Sequence, residues 1–213
     1  MKKITLLLFL IIGINSYSQQ FYIEAGKTMS SFDYKNSEGN ALDNLQATSE
    51  SFMTMGYRSQ IFVKNLHGSI GTSYSGYGAI GSDDIVGNFF EWKVNYLEFN
   101  VGLDYELFKI KKAKFYLKET ASVGYILQGT QTLNNRVINL KNKDDFDQTV
   151  FFFRGGFGIS QPISDKLSFY VQYMYGKSFK LKEGTANTDD LEELSFISKN
   201  LSFGLLIDLP KKI

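Results

Sequence analysis

The chain has 213 residues, with no cysteine, two prolines, 19 glycines and one histidine. Its 23 basic and 22 acidic side chains nearly cancel, which excludes a nucleic-acid binder driven by bulk charge. Without a thiol there is no disulfide frame, thiolate metal site or cysteine nucleophile, and the lone His67 leaves no two-histidine metal site. Aromatics reach 15%, mostly Phe and Tyr, and together with the glycines they point to β structure.

The chain opens on Met1-Lys2-Lys3. An apolar run from Ile4 to Ile14 follows, broken only by Thr5 and Gly13, and then Asn15-Ser16-Tyr17-Ser18. A basic start, a short apolar core and small residues before a cut after Ser18 make a secretory signal peptide. The run is well short of the roughly 20 residues a membrane helix needs. The expectation is a signal peptide over 1–18 and one exported domain over 19–213, with acids outnumbering bases by one once Lys2 and Lys3 are gone.

From there the chain alternates with a period of two, which only a strand sorts onto two faces. Weaker forms run from Phe21 to Met29, Phe52 to Val63 and Gly68 to Gly78. The clearest window follows: Leu97, Phe99, Val101, Leu103, Tyr105 and Leu107 alternate with Glu98, Asn100, Gly102, Asp104 and Glu106. Phe115 to Leu127 repeats the pattern, interrupted in its apolar row by Glu119. Phe151 to Ser160, Leu167 to Gly176 and Asn200 to Leu209 complete eight candidate strands.

Their connections alternate in length. Lys64–His67, Phe108–Ala113 and Pro162–Lys166 are short, while Asp33–Glu50, Ala79–Glu91, Gly129–Asp147 and Lys177–Leu194 are long and polar. Tight turns at one end and loops at the other are the layout of an outer-membrane barrel. The apolar rows approach the 9 to 11 residues a tilted crossing strand requires. Bulky rows alternate with Gly, Ser, Thr and scattered charges, which suits a narrow eight-stranded lumen with the bulk outside. The expected fold is therefore all-β: an eight-stranded antiparallel transmembrane up-and-down barrel. A soluble periplasmic barrel holding an apolar ligand would need the opposite orientation.

On this patterning, the signal ending Ser-Tyr-Ser before Gln19-Gln20, and the last strand, the chain resembles the small outer-membrane barrels of the OmpX and OmpA-barrel type in their Bacteroidetes form, which includes PorT-like proteins. In that resemblance Ser202, Gly204, Ile207 and Leu209 match the signal read by the barrel-insertion machinery. The match departs in its aliphatic final positions and in the trailing Pro210-Lys211-Lys212-Ile213.

Candidate chemistry is sparse. Gly76-Tyr77-Gly78-Ala79-Ile80-Gly81 fits a dinucleotide fingerprint, but that motif needs a following helix, and none is expected before Ser82-Asp83-Asp84. His67 is expected in an exposed turn at the periplasmic end, which disfavours Ser-His-Asp catalysis. Strand parity sends Glu24, Arg58, Glu98, Asp104, Glu106, Lys118, Arg154 and Asp208 into the lumen, with Gln60, Asn100, Gln172 and Asn200. Buried charges must pair, either as a fixed salt-bridged plug or as a gate in which Arg58 or Arg154 changes acidic partners. The long connections are acidic (Asp33, Glu38, Asp43, Glu50, Asp83, Asp84, Glu91, Asp189, Asp190, Glu192 and Glu193) and the turn end basic (Lys109, Lys111, Lys112, Lys114, Lys211 and Lys212). Trp92, Tyr96, Tyr105, Tyr116, Tyr125 and Tyr173 are expected at headgroup level.

The expected function is a non-enzymatic, monomeric outer-membrane barrel with a structural and surface-interaction role and no cofactor. Its expected partners are outer-membrane lipid and lipopolysaccharide, with the insertion machinery, and no nucleic acid. A small gated pore or an accessory part of a secretion system is the alternative.

Overall fold

The computed structural model describes residues 19–35, 44–83, 88–141, 149–180 and 193–210. The strands are β1 (Gln19–Lys35), β2 (Gln46–Gln60), β3 (Leu66–Asp83), β4 (Asn88–Ile110), β5 (Ala113–Leu133), β6 (Arg136–Asn139), β7 (Val150–Pro162), β8 (Leu167–Lys180) and β9 (Glu193–Asp208). Eight of them pair antiparallel in the order β4-β3-β2-β1-β9-β8-β7-β5, and a β4–β5 pairing closes the ring. β6 pairs only with β5. It folds back through Asn134 and Asn135, whose φ of 45° and 68° suit the two-residue hairpin turn that favours Asn.

One circuit of the register runs Phe21, Tyr57, Ile70, Val101, Ala121, Phe153, Lys177, Ile197 and back to β1 at Ser31. Return ten residues up the strand tilts all strands by about 35–45° and leaves an interior that side chains can fill. The faces separate as the alternation predicts. Phe99, Leu103, Phe203 and Ile207 are 56, 48, 58 and 37% exposed, whereas Glu98 and Asp104 are 1 and 2% exposed. The apolar rows therefore face outward, which is the reverse of what a soluble ligand-carrying barrel needs. Closure leaves no edge of the eight ring strands unpaired, the condition for a sheet to stand in lipid.

Three details differ from the sequence expectation. The strands are longer: β3 continues to Asp83 and β4 begins at Asn88, within the expected Ala79–Glu91 loop. The glycines of Gly76–Gly81 thus lie inside a strand. The hairpin with β6 was expected as loop. The turn expected at Lys64–His67 falls at 61–65, so His67 lies within β3 and is buried rather than exposed. The expected signal peptide lies outside the described residues, as do Glu38, Asp43, Asp84, Asp189, Asp190, Glu192, Lys211 and Lys212.

Candidate functional site: the barrel lumen

The loop end of the lumen is filled by rings. Phe32, Tyr77, Trp92, Tyr96, Phe152 and Phe196 are buried in one cluster with Val94, Ile126, Leu140 and Val150. Tyr77 stacks on Phe152 with centroids 5.1 Å apart, and Phe196 meets Phe32 edge-on at 4.9 Å. These are favourable aromatic geometries. Trp92, Tyr96 and Tyr116 are buried inside the cylinder, not at headgroup level as expected. Strands longer than a membrane crossing extend the cylinder, and its interior must be filled. Tyr105 and Tyr125 do face outward.

Beneath the rings lies a buried ion pair. Arg154 Nη2 stands 2.9 Å from Glu98 Oε2, and Arg154 Nη1 donates to Ser122 Oγ at 3.0 Å. Ser122 Oγ donates to Glu98 Oε2 at 2.7 Å, and the Tyr77 hydroxyl donates to Glu98 Oε1 at 2.5 Å. Arg154 Nη2 also donates to the Tyr77 oxygen, and its guanidinium lies 4.7 Å from the Phe152 ring centroid. Both carboxylate oxygens are thus multiply satisfied, as a pair removed from water requires.

Towards the turn end, Asp104 takes two cations. Arg58 Nε lies 2.6 Å and Lys118 Nζ 2.9 Å away. Arg58 Nη1 donates to Gln20 Oε1 at 3.1 Å, and Gln20 Nε2 donates to Asp208 Oδ1 at 2.7 Å. This ties the two end strands to the cluster. Between the two ion clusters, Glu24 accepts from the Tyr170 hydroxyl at 3.0 Å and from Gln172 Nε2 at 2.9 Å. Gln172 Oε1 in turn accepts from Tyr116 at 3.1 Å. Glu106 sits lower, bridged to Lys109 and Lys114 at 3.0 and 3.4 Å.

The structure therefore joins Glu98 to Arg154, and Asp104 to Arg58 and Lys118. It links Asp208 to that second cluster through Gln20 and keeps Glu24 and Glu106 in separate settings. Sequence reasoning missed Tyr22, Tyr170 and Ser122 and placed Tyr116 at headgroup level, although their strand parity matched the lumen charges; it also missed Tyr77, on a strand without a lumen charge to set the parity. The tyrosines also explain several glycines. A Cβ on Gly204 would come within 2.5 Å of the Tyr170 ring, and one on Gly158 would collide with the Tyr116 ring. Each glycine is a socket for a ring from a neighbouring strand. Ser202 is buried and Gly204 faces the lumen, Ile207 faces outward, and Leu209 N donates to Gln19 O at 2.8 Å just past β9.

Among the described residues, small cavities lie along the axis. One of about 50 Å³ is lined by Glu24, Glu98, Lys118, Arg154 and Asn200 among others, room for a few waters. One of about 10 Å³ lies beside Arg58 and Asp104. Tyr22, Lys118 and Gln172 border both. Rings close the upper end and ion pairs the lower, so the arrangement holds charge in place rather than offering an open bore.

The chain is similar in structure to the outer membrane protein OprG from Pseudomonas aeruginosa, at 10% identity, over 92% of this chain and 99% of that one, with a TM-score of 0.50. The fold is that of an outer-membrane β-barrel. Neisserial surface protein A is also similar (15% identity, 89% of this chain and 97% of that one, TM-score 0.49). So is the attachment invasion locus protein Ail of Yersinia pestis (12%, 89% and 99%, TM-score 0.41). No protein-family model and no curated protein matches the sequence.

Proposed function

We propose that this chain is an integral outer-membrane barrel of a Gram-negative bacterium, exported by its N-terminal segment and standing as a monomer. In this reading its long connections face outward and its two termini face the periplasm. Its role is structural and surface-interacting, with no enzymatic step. The closed cylinder with large apolar side chains outside and a filled, ion-paired interior carries the reading, because such an exterior is stable only in lipid. Membrane lipid and lipopolysaccharide would surround it, and the insertion machinery would read Ser202, Gly204, Ile207 and Leu209 on the last strand. The Bacteroidetes, PorT-like likeness of the sequence belongs to the same proposal.

Cell fractionation with a gel run before and after boiling tests it. The folded protein should pellet with the outer membrane and migrate faster unboiled. Recovery in the soluble periplasm with no heat shift would contradict it. The paired axial cavities favour one second reading, a small gated pore. Planar-bilayer recording decides between them, with a silent bilayer supporting the filled barrel and discrete openings supporting the pore.

A further inference from the structure

We propose that Glu119, with the bare backbone of Gly155 beside it, forms a seat on the outer wall for the ammonium head of a membrane-dissolved alkylamine. This rests on the membrane reading above.

Glu119 interrupts the outward row of β5 and is exposed. It pairs in register with Leu103 on β4 and with Gly155 on β7. On its own strand Phe115 and Leu117 stand below it, and Ala121, Val123 and Tyr125 above. Gly155 is centred in the same way, with Ile159 and Phe157 below and Phe153 and Phe151 above. The carboxylate therefore sits roughly 10 Å inside the lower edge of the apolar wall, near its mid-height. An ionisable group facing lipid there is costly, and it marks a place where a partner belongs. Within the wall it has no such partner: among the described residues, none donates to the Glu119 carboxylate or pairs with its charge. The adjacent Lys118 faces the lumen and is bonded to Asp104 at 2.9 Å.

The space beside the carboxylate is open. A Cβ on Gly155 would meet nothing within 4 Å, unlike the glycines that receive tyrosine rings. Phe153 and Phe157 rise on either side of this notch, 48 and 60% exposed, so it admits a slim head and keeps off a flat protein face. Towards the loop end the relief is low, because Ala121 and Val123 are half-buried, and an alkyl chain can lie there between β5 and β7. Charge complementarity names the head. An ammonium brings the opposite charge and three donors to a carboxylate that has none, and such a pair is strong where water is excluded. A phospholipid headgroup would bring a phosphate against the same carboxylate. A second copy of the barrel brings no cation. The register row climbs ten residues per circuit, which puts Ile23, Met55, Ile70, Tyr173 and Phe203 level with Glu119 to within roughly 3 Å.

The test uses the full barrel in phosphatidylcholine vesicles with dodecylamine carrying a photoactivatable diazirine on its chain. Crosslinked peptides are mapped by mass spectrometry. Labels should concentrate on Ala121, Val123 and Phe153, and excess plain dodecylamine should remove them where excess dodecanol does not. Glu119→Gln and Gly155→Leu should each lower this labelling roughly tenfold, while background labelling of Met53 and Met55 on β2 stays unchanged. The unboiled gel shift confirms that each variant is folded and embedded. Equal labelling by a diazirine dodecanol, or undiminished labelling in Glu119→Gln, overturns the site while leaving the membrane reading intact. Displacement by a leucine–alanine membrane helix with a central lysine, more effective than dodecylamine itself, would reassign the face to a protein partner. A disulfide dimer through a cysteine placed at 121 would reassign it to a second copy. Either result overturns the amine seat, and failure of wild type to embed overturns both readings.

Discussion

The two halves of the lumen solve one problem with opposite chemistry. At the loop end, rings from β1, β3, β4, β7 and β9 pack with centroids 4.9 to 6.0 Å apart. At the turn end, Asp104 with Arg58 and Lys118, and Glu24 with Tyr170 and Gln172, fill the same width through directed bonds. The upper half tolerates any apolar shape of the right volume. The lower half depends on each charge keeping an opposite charge or donor beside it, because a charge orphaned there is stranded away from water. The Arg154–Glu98 pair is the seam between them, bonded to Tyr77 from the ring layer.

The comparison breaks most sharply at that seam. Arg154→Ala should destabilise the barrel by about 3–5 kcal/mol by stranding Glu98, and the paired change to Arg154→Met with Glu98→Leu should recover most of it. Urea unfolding in detergent, followed through Trp92, the sole tryptophan, measures both. A loss below 1 kcal/mol in the single variant would mean that the pair is not buried. Tyr77→Phe removes one donor to the carboxylate and keeps the ring stack, so about 1.5–3 kcal/mol is expected. Gly204→Ala forces a methyl against Tyr170 and the Ile23 carbonyl, costing about 1–3 kcal/mol. Combining it with Tyr170→Ala should relieve only the part of the clash owed to the ring. Lys93→Gln breaks a half-exposed pair and should shift the midpoint by at most about 1 kcal/mol.

Parity made the charged half legible. Glu98, Asp104, Lys118 and Arg154 lie in strands whose alternation is clean, and their even positions point inward. The same parity extends to Trp92, Tyr96 and Tyr116, yet aromatics near strand ends were assigned to the membrane interface. Residue type is ambiguous there, since a ring suits a headgroup layer and a lumen equally. The strands' true length, up to 23 residues in β4, resolves it, because a cylinder taller than the membrane needs filling beyond it. An extra residue in β5 at Leu127, opposite Asn95/Tyr96, and another in β2 between Ala47 and Phe52 hid the loop-end parts of those two strands further, since a bulge inverts the faces beyond it. His67 was misplaced for a plainer reason: the preceding turn closes two residues early, which carries it inside beside Asp104.

The absence of cysteine from the sequence allows the orientation of the wall to be read directly. Single cysteines placed in turn at 98, 99, 103, 104, 202, 203 and 207, spin-labelled in lipid vesicles, should divide by face. Labels at 99, 103, 203 and 207 should relax strongly with oxygen dissolved in the bilayer, and those at 98, 104 and 202 should be shielded from it. Relaxation by oxygen at the even positions, with the odd ones reached by a water-soluble nickel chelate, would contradict the account.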